Sequence, residues 1–383
     1  MPFTSMDDLV SKTASGNFQR LDWNKLFLPT TPAVAGEWHC LARGGGSPAA
    51  DALYNTGTNL AFQPVSDTTT NAGTFQHDGN KSPGATKHII NASAFSAAAT
   101  VNPCVLMLVD LLGFYRVTSV TTTTAQTLTN TLSVTNNFTA DPSTNLLTHT
   151  FYNLFPFTRV RLTTSGTLPA GLATATDYFV IYVSDTTCRL ATSYANAVAG
   201  TAIDITDAGT GTHTINTLLP RYTSGAGVRA FMWNTNATAL GAATPNLSIA
   251  YRNSTQDTGR ATPTVLPIGK TAPANGLILY SGTGSGKYGP FMPMQGADAG
   301  IAEVTSVTIS VSYVSGEFSI GLCRPLLTIP LTTLGVATER DLVNQLPSMP
   351  RIYDGANLQW LLYSGVNTPI NSSLFGHIDV AWG

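Results

Sequence analysis

The sequence predicts an all-β protein: a jelly-roll-like or β-sandwich main domain that carries an inserted small β module, with few short helices. Three observations carry that expectation. About 57 threonines crowd the 383 residues, and β-branched side chains suit pleated, half-buried surfaces. Turn formers are plentiful, with 34 glycines and 22 prolines. Short apolar segments recur between those turn signals, at the spacing of strands rather than helices. Charge is scarce: 19 Lys and Arg stand against 21 Asp and Glu, a net −2. Charged residues make up 10% of the chain, where soluble domains hold about 25%. A protein built to grip nucleic acid needs clustered Lys and Arg, so direct nucleic-acid binding is excluded. A polybasic membrane anchor is excluded on the same ground. A neutral, hydroxyl-rich surface lacks charge-based protection against association, so a permanent assembly is its natural setting.

In chain order, residues 1–31 read as a helix followed by an arm. Thr4 or Ser5 caps the helix, Asp7 and Asp8 sit in its first turn and Gly16 closes it. Met6, Leu9 and Val10 share one face. Phe18 to Thr31 then brings Leu21, Trp23, Leu26, Phe27 and Leu28. An arm so rich in large apolar groups either folds back on its own domain or docks on a neighbouring subunit. Met6, Leu9, Val10, Trp23 and Phe27 are therefore the candidate partner contacts. The start of the chain shows no basic-then-apolar secretory pattern, and no apolar run reaches the ~20 residues of a membrane span; Asp110 interrupts the longest.

Residues 32–131 form the first part of the main domain, with loops at Gly44–Gly46 and Ser66–Gly84 and strands at Cys104–Val109 and Phe114–Val120. Residues 132–217 form the inserted module, whose strands fall at Val160–Leu162, Tyr178–Val183 and Arg189–Ala191. Residues 218–383 complete the main domain. Val304–Val314 is its cleanest strand, with Val307, Ile309, Val311 and Tyr313 alternating against Thr308, Ser310 and Ser312. Thr338-Glu339-Arg340-Asp341 has the form of a helix-capping box, with Pro347 as the stop. Trp360–Tyr363 and Ile378–Trp382 are the last strands.

No arrangement of residues spells an enzyme or a cofactor site. Ser281-Gly282-Thr283-Gly284-Ser285-Gly286-Lys287-Tyr288 echoes a phosphate-binding loop. It lacks the first glycine and the hydroxyl after the lysine, and Gly289-Pro290 forbids the helix that should follow. Asp204 and Asp207 are close in sequence, but an acid pair is expected by chance among 21 acids. The six histidines, among them His39, His77 and His213, show no metal-ligand spacing. Gly284-Ser285-Gly286 is too tight for a nucleophile elbow. Cys40, Cys104, Cys188 and Cys323 are too scattered for a zinc site and read as buried free thiols. Asn-x-Ser/Thr triplets, as at Asn91 and Asn137, are accidents of composition.

The segment Val160–Ile215 resembles a module that recurs in virion proteins of tailed bacteriophages. The shared order is a strand, then Gly166-Thr167-Leu168-Pro169-Ala170-Gly171-Leu172, then Tyr178-Phe179-Val180-Ile181. Arg189-Leu190-Ala191-Thr192 and Asn196-Ala197 follow, and Thr206-Asp207-Ala208-Gly209-Thr210-Gly211-Thr212-His213 closes it. Glu339-Arg340-Asp341-Leu342, Gln345-Leu346-Pro347 and Pro350-Arg351-Ile352-Tyr353-Asp354-Gly355 are similar to a group of phage head proteins. The resemblance implies a capsid-associated protein on the phage head, of the decoration or cement type, made in the host cytoplasm. Its partners would be the major capsid protein and copies of itself in a homotrimer or other ring, with no nucleic acid and no membrane. The module also occurs in other phage proteins, which leaves a tail, baseplate or receptor-binding role as the alternative. The main shell fold, with its long spine helix, is a poorer match.

Overall fold

The computed structural model describes residues 3–26, 35–50, 60–67, 73–79, 85–97, 101–117, 122–149, 154–234, 243, 245–262, 266–267, 289–314, 316–344, 349–367 and 372–383. The protein is all-β, with antiparallel sheets throughout and two short helices among the described residues. The anticipated phosphate-loop look-alike at residues 281–288, Phe27 and Pro347 lie outside the described residues.

Two strands of 14 residues, Cys104–Val117 and Phe318–Leu331, pair along their length and form the spine of a central sheet. Arg229–Asn234 flanks one side, and Asn357–Ser364 followed by Glu37–Cys40 flanks the other. Where two strands were expected, at Cys104–Val109 and Phe114–Val120, the chain makes one. Each spine strand feeds two cores. Cys104, Leu106 and Leu108, with Leu327, Ile329 and Leu331, belong to a core shared with the sheet that joins the two chain ends. Leu111, Phe114 and Tyr115, with Phe318, Ile320 and Leu322, belong to a second core shared with a third sheet. Register shifts between Leu322 and Cys323 and between Pro325 and Leu327 mark the changeover. An extra residue in one strand reverses which face its side chains take, so a bulge is how a strand changes core.

At that changeover lies a buried ion pair. The Arg221 guanidinium grips both oxygens of Asp110, at 2.8 Å from Nε and 2.7 Å from a terminal nitrogen. It also donates to the carbonyls of Val65 and Leu111, and Asp110 accepts from the Asn357 amide at 3.0 Å. Both charges are therefore saturated with hydrogen bonds, which is what makes burial of a charge tolerable.

As far as Leu26, the expected arm folds back on its own domain. Phe18–Leu26 is a strand, paired residue for residue with the C-terminal strand Ser373–Trp382, which in turn pairs with Lys87–Ser96. Leu21, Trp23 and Lys25 face inward while their neighbours are exposed. Trp23 packs on Trp360 of the central sheet with ring centres 5.2 Å apart. Thr338–Asp341 is also a strand, paired with Asn91–Ala94, where a helix was expected. The hydrogen-bonding row offered by Lys87–Ser96 outweighs four residues of helix-start signal. Asp341 instead accepts from the Val343 and Asn344 amides and tightens the turn that follows.

The helix Met6–Ala14 forms as expected, with Ser5 as its N-cap accepting from the Asp8 amide. Asp8 reciprocates by accepting from the Thr4 amide at 2.8 Å. The third sheet pairs Asn246–Asn253 with Ile301–Ile309. Alternation holds as far as Ile309, but Val311 is exposed, and Val314 takes a left-handed backbone beyond the strand's end.

Six strands from Val134 to Thr217 close into a small barrel, in the order Arg159–Thr164, Tyr178–Ser184, Thr187–Ala191, Leu146–His149, Val134–Asp141 and His213–Thr217. Its own core holds Phe138, Leu147, Val160, Leu162, Val180 and Ile215. Arg159 ties the barrel to Glu303 of the third sheet, and Thr158 and Thr223 share a hydroxyl contact at 2.6 Å.

Lys87, fully buried, donates to Nδ1 of His77 at 2.8 Å and to the Asp78 carbonyl. Nε2 of His77 therefore carries the ring proton and gives it to the Ala356 carbonyl at 2.9 Å. Burial, reinforced by the Lys87 charge, holds His77 below the ordinary imidazole value, and burial lowers His88 as well.

Two outcomes follow. Arg221→Ala strands a buried carboxylate and lowers unfolding free energy by about 3–5 kcal/mol in denaturant titration, whereas Arg221→Met with Asp110→Asn recovers part of it. On acidification below about pH 6.5, the unfolded chain takes up protons that folded His77 and His88 refuse, so stability falls with pH towards their lowered values. His77→Gln keeps both hydrogen bonds, and calorimetry should find the slope shallower by about 1.4 kcal/mol per pH unit.

Candidate assembly surface

The outward face of the terminal sheet is built by simple alternation. Leu21, Trp23 and Lys25 point into the core, so Arg20, Asp22, Asn24 and Leu26 point out. Pairing then lines these up in rungs across three strands. One rung is Arg20–Asp379–Asn91, in which Arg20 holds Asp379 by two bonds of 2.7 and 2.9 Å. The next is Asp22–His377–Ser93, with Ser93 Oγ 2.8 Å from His377 Nδ1. The third is Asn24–Phe375–Phe95, whose two rings stack with centres 5.3 Å apart.

Exposed apolar groups gather on and beside this face. Phe18, Leu26 and Phe95 lie on its strands. Leu334 and Val336 are exposed on the adjoining segment, which the Gly335 amide fastens to the Ser96 carbonyl. Met6 and Val10 are half exposed or more on the helix packed against the sheet. Of twelve large apolar side chains exposed among the described residues, these seven lie on the terminal sheet, on the helix packed against it or on the segment bonded to its edge. Single exposed apolar residues are ordinary on a protein surface; the feature here is their concentration on one sheet and its attachments.

The five sequence-derived contact candidates separate cleanly. Met6 and Val10 are exposed on this side. Leu9 packs with Phe3 and Ala381, and Trp23 is buried against Trp360, so both serve the chain's own cores. Phe27 lies outside the described residues. Phe95 and Phe375 escaped notice because neither stands out in its own strand. Only the pairing of strands from distant parts of the chain stacks them.

Two of the residues weighed for chemistry, Asp207 and His213, have structural posts. Asp207 accepts from the Ala170 and Gly209 amides, while Asp204 is exposed. His213 bonds Thr164 Oγ1 at 2.8 Å and the Ala208 carbonyl at 3.1 Å. Among the described residues, no three His, Cys, Asp or Glu side chains gather as a metal would require. All four cysteines are buried and outside any disulfide, and burial pushes the Cys104 and Cys188 thiols up to about 12, far from a reactive thiolate. No described helix is long and apolar enough to cross a membrane.

The segment Val160–Ile215 has a mechanical meaning. Its two glycine-containing loops lie side by side, with Thr167 and Thr210 exchanging both backbone bonds at 3.1 and 2.8 Å. Gly209 adopts φ +68°, and a Cβ there would stand 2.4 Å from the Thr167 carbonyl oxygen. Asp207 and His213 clamp the same junction from either end.

No family model matches the chain, and no curated protein does. Among solved structures, it aligns with the infectious bursal disease virus VP2 subviral particle at 8% identity, over 95% of this chain and 80% of that one, with a TM-score of 0.16. The Gx strain of the same virus aligns at 10% identity, over 95% and 80%, with a TM-score of 0.13. Scores of that size establish no common fold.

Gly209→Ala should break the loop junction, because the residue meets both left-handed strain and a backbone clash. A loss of about 2–4 kcal/mol is expected in thermal or denaturant unfolding, with amide exchange rising first around Thr167 and Thr210.

Proposed function

We propose that this protein is a structural component of a tailed-phage virion, a decoration or cement protein that binds and stabilises the assembled head. The observation that carries the reading is the collection of exposed apolar groups on and around the terminal sheet of a low-charge β body. The resemblance of Val160–Ile215 to a phage virion module points the same way. Its partners are the major capsid protein and further copies of this chain, most simply in a ring. The mechanism is mass action: a protein that binds the assembled lattice and not its free subunits stabilises the lattice in proportion to its own occupancy.

On this reading the terminal sheet's outer face, with Phe95, Phe375 and Leu26, is buried against a neighbour, together with Met6 and Val10 of the helix. The barrel is tethered through Arg159–Glu303 and Thr158–Thr223 and projects away from the lattice. The tail or receptor-binding alternative draws on the barrel itself, which exposes Tyr182, Val183 and Val198.

Purified protein mixed with heads that lack it should co-sediment saturably and raise the temperature of DNA release. Phe95→Asp with Phe375→Ser removes a stacked pair whose Phe375 member is half-buried, so the melting temperature should fall by several degrees with the fold retained, while co-sedimentation weakens by about tenfold or more. Retention on host cells or surface polysaccharide, with no affinity for heads, would move the protein to the tail.

A further inference from the structure

A second feature has no place in that reading. Where the barrel meets the main body, a cleft of about 590 Å³ opens, walled by Phe155, Tyr222 and Tyr353 and by Arg324 and Arg351. The aromatic rings form a closed set, with Phe155 5.6 Å from both tyrosines and the tyrosines 5.1 Å apart edge to face. Each arginine lies over one of them. The Arg324 guanidinium stands 5.4 Å from the Tyr222 ring centre and that of Arg351 4.4 Å from Tyr353. Arg324 is further fixed by donating to the Ala226 carbonyl at 2.8 Å. Gly227 makes its berth: a Cβ at that position would fall 1.1 Å from the guanidinium.

These two arginines are held by rings rather than by acids; Arg189, Arg229 and Arg340 also lack a carboxylate among the described residues but bond Thr144, Met294 and Thr328 and do not face this cleft. Arg20, Arg116, Arg159, Arg161, Arg221, Arg252 and Arg260 all hold carboxylates. Among the described residues, neither Arg324 nor Arg351 has a carboxylate within ion-pair distance. The acid on the barrel side, Asp185, accepts from the Tyr182 hydroxyl at 2.8 Å. Stacking on an aromatic face orients a guanidinium without neutralising it and leaves its in-plane donors for an oxyanion. Two such groups face one cleft, each oriented by a ring and neither in an ion pair among the described residues. The cleft volume matches sites for small solutes.

We propose that this cleft binds an oxyanion, with Arg324 and Arg351 each donating to a carboxylate or phosphate group of one compact solute. The arginine fork fits both groups bidentately, so the chemistry is shared and the source is a matter for experiment. The site does not depend on the virion role, because it is complete within one chain.

The test is isothermal titration of the purified full-length chain with two probes, inorganic phosphate and a diuronate disaccharide. Saturable one-to-one binding of either is expected, and the probe that binds names the source. Arg324→Gln and Arg351→Gln should each weaken it about tenfold or more, the scale of one charge-assisted contact. Arg20→Gln, which removes a charge on the terminal sheet, should leave it unchanged. Gly227→Ala, which keeps both charges but displaces Arg324, should also weaken binding, and thermal melts confirm that each variant is folded. Absence of binding by both probes, or binding that folded Arg324→Gln and Arg351→Gln chains retain in full, would overturn the proposal.

Discussion

The structure depends on a pair of strands that must serve two cores. Cys104–Val117 and Phe318–Leu331 are long enough to cross the whole body, and each gives one half to the terminal sheet and the other to the third sheet. A regular strand cannot do this, since period-two alternation commits every second residue to one face. The register shifts around Leu322–Leu327 release that commitment, and they leave backbone groups that a regular ladder would have satisfied. The Asp110–Arg221 pair sits there and meets them, taking the Val65 and Leu111 carbonyls and the Asn357 amide. Arg221 also lies just beyond the barrel's last strand, so the same pair fixes where the chain re-enters the main body.

The barrel shows how a sequence motif can be specific without being chemical. Gly209, Asp207 and His213 look like the start of a site, being small, acidic and titratable within a short span. In the fold they are joinery: a close backbone approach, a carboxylate that collects amides and an imidazole that spans two loops. Such positions tolerate little change, because each is set by a backbone conformation or a fixed donor–acceptor pair. A module held this way is portable, and its presence speaks of architecture before it speaks of activity.

What could be read from the sequence follows the reach of the interactions involved. The helix Met6–Ala14 was legible because its cap, acidic first turn and apolar residues are local. The barrel strands at Val160, Tyr178 and Arg189 were legible because glycines and a proline bracket them. Thr338–Asp341 was misread, since its cap-like residues are local while the strand that captures it lies at Asn91–Ala94. Trp23 was taken for an arm residue for the same reason: the strand that turns it inward is at the opposite end of the chain. The Phe95–Phe375 stack and the arginine cleft were beyond reach altogether. Each is assembled from residues that share nothing in sequence but composition.

Low charge, the first oddity of this chain, takes on a definite sense once the pairs are placed. The few ionic groups are mostly consumed within the fold: Arg221 on Asp110, Arg159 and Arg252 on Glu303, Arg260 on Asp298, Arg20 on Asp379. Charges held in this way fix geometry, and they do not repel another copy. The outer face of the terminal sheet still carries Arg20 paired with Asp379, and Asp22 opposite His377, beside its hydroxyls, amides and stacked phenyl rings. Burying an unpaired charge at an interface would cost several kcal/mol, whereas apolar area gains roughly 25 cal/mol per Å² covered. Arg324 and Arg351 are held differently, each by an aromatic face rather than by a carboxylate, so their positions are set while their charge is not neutralised.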